Sequence, residues 1–93
     1  MDKDELNAWY RATLGDKIEA LTRAVAELAG GASGAQAELR IQAHKLRGSA
    51  ASFGFPQITD AAGFLEDSPD EELDAAGRKL LEVMHAAAAE PPT

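Results

Sequence analysis

Leu14, Ile18, Leu21, Val25 and Leu28 follow one another at intervals of four, three, four and three residues. That rhythm belongs to a helix buried along one face. It returns in Leu39, Ala43, Leu46, Ala50 and Phe53, and again in Leu73, Ala76, Leu80, Val83 or Met84, and Ala87. Ile58, Ala61, Ala62 and Leu65 make a shorter face of the same kind. No stretch alternates with period two for long enough to form a strand. Breaks fall at Gly15-Asp16, from Gly30-Gly31 to Gly34, from Gly54 to Pro56, and at Ser68-Pro69. They predict a short first helix over about residues 4–13, a kink at Gly15 and a second helix to about residue 29. A third is expected over about 35–53, and a fourth, shorter one opens on Pro56 at its first position. The last is opened by the capping box Ser68-Pro69-Asp70-Glu71 and ended by Pro91-Pro92. The expected fold is all-α: an antiparallel up-down-up-down four-helix bundle, with a short N-terminal lid helix, in a single domain over residues 1–93.

Composition narrows what such a bundle can do. With 93 residues and no cysteine, the chain has neither disulfides nor thiolate metal sites, so packing must supply its stability. A net charge of −7 argues against nucleic acid and against an anionic membrane surface as partners. No apolar run approaches the roughly 20 residues that cross a bilayer. The N-terminus Met1-Asp2-Lys3-Asp4-Glu5 is acidic, without an export segment, so the cytoplasm is the expected compartment. The initial Met1 reads as that of a free-standing chain, as it would in an excised domain given a start codon. The charge is uneven: residues 37–55 hold three basic side chains (Arg40, Lys45, Arg47) against one acidic (Glu38), and form the one net positive segment.

That segment contains His44. At 100° per residue, His44 points roughly 140° away from the centre of the Leu39–Phe53 seam. Its neighbours on the outward face are Ala37, Arg40, Ile41, Gly48, Ala51 and Phe55, with Arg47 at the margin. A helix face that meets only water carries Glu, Lys and Gln. This one is small, apolar and ringed by positive charge, which reads as a docking surface around a reactive group. Gly48 is the telling residue, because a mid-helix glycine costs about 0.5–1 kcal/mol relative to alanine. It lies one turn beyond His44 on the same face and leaves the flank of the ring open to a partner. Imidazole, titrating ordinarily near pH 6.5, is a competent nucleophile at neutral pH. Arg47 and Lys45 could screen a dianionic group at the ring. There is no glycine-rich nucleotide loop, so no ATP site is expected.

The stretch Ala43-His44-Lys45-Leu46-Arg47-Gly48-Ser49-Ala50-Ala51-Ser52-Phe53-Gly54, with Leu65-Glu66 further on, resembles the signature of histidine-containing phosphotransfer domains. Their pattern is roughly His-x-Leu-Lys-Gly-small-small-x-x-Leu-Gly, followed by Leu-Glu or Leu-Gln. The resemblance implies that His44 is phosphorylated, and that Arg47 stands where the family usually has lysine, exchanging a point charge for a flat fork. It also implies that Glu66 hydrogen-bonds the distal ring nitrogen. Such a chain is a phosphoryl carrier and not a kinase. Its implied partners are the receiver domains of response regulators or a hybrid sensor kinase. It is expected to hold no cofactor of its own, with Mg²⁺ on the partner receiver.

Two other readings of the same face stand beside this one. A helical interaction module could bind a regulatory partner without carrying phosphate. A dimer could bury the apolar residues Ile41, Ala51 and Phe55, whereas the carrier reading expects a monomer. His85 reads as a residue of the last helix's end, and no His-x-x-x-His spacing supports zinc. Trp9 and Tyr10 are expected to cap one end of the bundle, and the acidic run from Asp67 to Asp74 to favour the start of its helix.

Overall fold

Every apolar seam in the sequence becomes a buried stripe. A computed structural model describes residues 2–90; the expected stop at Pro91-Pro92 and the reading of Met1 lie outside the described residues. Among those described are four α-helices: α1 (Lys3–Ala29), α2 (Ala35–Phe53), α3 (Pro56–Asp67) and α4 (Leu73–Ala89), with a 3₁₀ turn at Asp70–Glu72. Each helix packs on the next in sequence, and α1 packs on α4 to close the ring. Cross-helix contacts set the start of one helix beside the end of its neighbour: Tyr10 meets Ser49, Arg11 meets Ala87, and Arg40 meets Ser68.

Leu14, Leu21 and Val25 of α1, Leu39, Ala43, Leu46 and Ala50 of α2, Ile58, Ala62 and Leu65 of α3, and Leu73, Ala76, Leu80, Met84 and Ala87 of α4 are buried in one cluster. Ile18, Leu28, Phe53, Ala61 and Val83 pack partly buried at its edge. Each fully buried leucine contributes about 1.5–3 kcal/mol by removing its surface from water. Alanines on α2 and α3 let these two helices approach closely, and that approach brings the side chains of their outer margins within reach of one another.

The lid helix does not exist as a separate element. α1 runs unbroken through Gly15, and the end of the bundle is closed by the first turns of α1 itself. A glycine makes a helix cheaper to break but does not break it. Gly15 lies on the exposed face, while Tyr10, Leu14 and Leu21 on either side are anchored in the core. Asp2 caps α1 by accepting from the Glu5 amide at 2.8 Å. Tyr10 stacks on Phe53 with ring centroids 4.9 Å apart and shares a 2.7 Å hydrogen bond with Ser49. Burial pushes its phenol pKa up. Trp9, by contrast, stays exposed and only leans on Phe53.

The capping box at Ser68 is also not formed. The Ser68 hydroxyl turns back and donates to the Phe64 carbonyl at 2.6 Å. The chain then passes through Pro69 and the 3₁₀ turn before α4 begins at Leu73. Satisfying the end of α3 has taken the side chain that the start of the next helix was expected to use.

Candidate functional site

Midway along α2, His44 stands on the outer surface with its side chain 75% exposed. α2 keeps it there because Ala43 and Leu46, on either side in sequence, are held in the core. Across the α2–α3 seam lies Glu66, only 23% exposed, in the last turn of α3 next to the buried Leu65. Its Oε2 is 2.5 Å from His44 Nδ1, and its Oε1 accepts from Arg47 Nη1 at 3.0 Å. One carboxylate thus holds two side chains of α2 that are three residues apart on one helix surface.

The charge on this group is well defined. The Arg47 guanidinium, then the His44 ring, hold the Glu66 carboxyl below the ordinary carboxylate range. A carboxylate can only accept, so Nδ1 of His44 carries the proton of this hydrogen bond. In its neutral form the ring then has its lone pair on Nε2. Among the described residues Nε2 has no hydrogen-bond partner, and nothing stands within 4 Å of where a side chain on Gly48 would begin. An imidazole held at one nitrogen and open at the other can attack an electrophilic centre that is brought to it by something else.

The other expected site residues divide. Ala37, Ile41, Gly48 and Ala51 are exposed on the same side of α2 as His44. Lys45 is exposed but borders a shallow groove toward α1 with Lys17, Ala20, Gln42, Leu46 and Ser49, away from Arg47. Arg40 is turned toward the α3–α4 connection, where it donates to the Ser68 carbonyl and pairs with Asp70, each at 2.8 Å.

Phe55 is a correction. It was expected on the outward face and is 5% exposed, inside the core. The helical projection that placed it outside stops at Gly54, whose φ of +84° is the left-handed conformation that ends α2. Past that turn Phe55 folds inward against Tyr10, and the Arg11 guanidinium covers its ring at 5.4 Å.

Two residues near the site went unread. Phe64 on α3 is 64% exposed, and a large apolar residue next to the buried Leu65 gives no sign of this in the sequence. Gly63 lies under Arg47, so that a methyl group on it would stand 3.3 Å from Arg47 Nε. Its signal is a further mid-helix glycine, three residues before Glu66. Among the described residues no cluster of three metal-ligating side chains occurs, and no helix is long and apolar enough to cross a membrane. Residues 5–90 match the family model described as the Hpt domain. No curated protein and no solved structure matches the chain.

Proposed function

The chain belongs to the Hpt domain family, and on that premise we propose that it carries a phosphoryl group on His44. Members of the family exchange phosphoryl groups with receiver domains on a histidine and hold no cofactor, and residues 5–90 are a phosphoryl carrier of this kind. What supports His44 as the residue is its exposed ring, tethered through Nδ1 to Glu66 and open at Nε2 beside Gly48.

In this reading the Nε2 lone pair attacks the phosphorus of a receiver's aspartyl phosphate. The N–P bond forms as the P–O bond to the aspartate breaks, and the aspartate carboxylate leaves with the electron pair. The ring, still protonated on Nδ1, becomes cationic, and the Glu66 carboxylate already on that proton stabilises it. Arg47 and Lys45 screen the entering group from the two sides of the histidine. The transition state of phosphoryl transfer is loose, so presentation of the ring is the larger part of this chain's work. Any Mg²⁺ belongs to the receiver. The reverse transfer runs through the same atoms.

The partner rests on Ala37, Ile41, Gly48 and Ala51 around the ring, and comes from a response regulator or a hybrid sensor kinase. The chain works as a cytoplasmic monomer with that face uncovered. The test is incubation with a phosphorylated receiver domain, following acid-labile, alkali-stable label. Transfer to wild type and none to His44→Gln is expected. Equal labelling of His44→Gln would overturn the assignment, and partner binding without any labelling of wild type would favour a non-phosphorylated interaction module.

A further inference from the structure

Arg47 does not reach Glu66 through open water. Its stem crosses the surface of α3 at Gly63: a methyl group on Gly63 would stand 3.3 Å from Nε, 3.5 Å from Cζ and 3.6 Å from Cδ of Arg47. Gly63 and Glu66 are neighbours on the α2-facing side of α3, one turn apart. The guanidinium is thus laid flat over a bare patch of helix, with its far end on Glu66 Oε1. A mid-helix glycine costs about 0.5–1 kcal/mol relative to alanine, and Gly63 has an ordinary helical φ, since it is absent from the glycines with positive φ. No backbone conformation requires a glycine there. The atoms nearest to where a side chain would begin are all those of Arg47.

We infer that Gly63 is a positioning residue of the phosphoacceptor site, acting through Arg47 to fix the Glu66 carboxylate on His44. This rests on the reading of His44 as phosphoacceptor only for its functional consequence, not for its geometry. With Arg47 in place, Oε1 of Glu66 is engaged and Oε2 is presented to Nδ1. A side chain at position 63 lifts the guanidinium off α3, and Glu66 is then held by the histidine alone. A methyl group requires a shift of a few tenths of an ångström; a larger side chain requires a larger displacement of Arg47.

The test uses Gly63→Ala and Gly63→Leu, each alone and combined with Arg47→Ala, read by thermal unfolding and by ¹³C NMR titration of the Glu66 carboxyl. The single variants are expected to unfold at or above the wild-type temperature, because helix propensity rises. The Glu66 titration is expected to move up toward the ordinary carboxylate range, further in Gly63→Leu than in Gly63→Ala. In the Arg47→Ala background, substitution at position 63 should move it no further. A Glu66 titration in Gly63→Leu unchanged from wild type would overturn the inference, as would the same upward shift in the absence of Arg47. Transfer from a phosphorylated receiver should fall several-fold in Gly63→Leu. If wild type itself accepts no label, the carrier reading fails, while the titration still decides the role of Gly63.

Discussion

At the scale of the residue, the site is one carboxylate shared by a permanent cation and an imidazole that becomes one on phosphorylation. Glu66 holds the His44 ring by one oxygen and the Arg47 guanidinium by the other. Its carboxyl pKa is lowered in the folded state, by Arg47 first and then by His44. A depressed carboxyl pKa favours the fold above the unfolded value, and that contribution disappears as the pH falls through the folded value. Wild type should therefore exceed Glu66→Gln in denaturant midpoint at neutral pH, and the two should converge in acid below the folded pKa. A gap that widens on acidification would contradict the sign of this linkage. Gly48 makes a separate prediction. With nothing within 4 Å of its missing side chain, Gly48→Ala should stabilise the protein by about 0.5–1 kcal/mol, while Gly48→Leu keeps the fold and loses transfer. Transfer at the wild-type rate by Gly48→Leu would remove the steric role given to the glycine.

At the scale of the element, four glycines in helix interiors look alike in the sequence and differ in what lies across from them. Gly15 and Gly48 face open space, Gly63 faces the Arg47 stem, and Gly77 faces the core, where a methyl group would stand 2.9 Å from Val25 Cγ2. Gly15→Ala is expected to raise stability by about 0.5–1 kcal/mol and leave α1 continuous. Gly77→Ala is expected to lower it by about 1–3 kcal/mol despite the gain in propensity, because α4 must back away from α1 and α2. Equilibrium denaturation of the two variants checks both signs. This contrast also explains what could be read in advance. The seams, the helix ends at residues 29, 35 and 53, and the outward position of His44 follow from spacing and punctuation within one element. The kink at Gly15 and the outward Phe55 depend on core neighbours across the bundle and on a turn that resets the helical register, and the capping box at Ser68 on which of two helix ends takes its hydroxyl.

At the scale of the whole molecule, the bundle is a rigid stand for a single side chain. The four seams bury into one cluster, and that cluster holds α2 against α3 so that residues 44 and 66, distant in sequence, share a proton. The one net positive segment of an acidic chain surrounds the histidine, and that imbalance could be read directly from the sequence. The pairing of Arg40 with Asp70 and of Arg47 with Glu66 could not, since it requires knowing which acidic residues α3 and the following turn bring across. These pairings engage the arginines and leave Nε2 of His44 open at the centre of the face.

The measurement that bears most directly on this account is the position of the phosphorus on the ring. After transfer from a phosphorylated receiver to protein labelled with ¹⁵N-histidine, ³¹P–¹⁵N coupling identifies the bonded nitrogen. The tether from Nδ1 to Glu66 predicts phosphorus on Nε2 of His44 and a retained proton on Nδ1. Phosphorus on Nδ1, or on any residue other than His44, would contradict it.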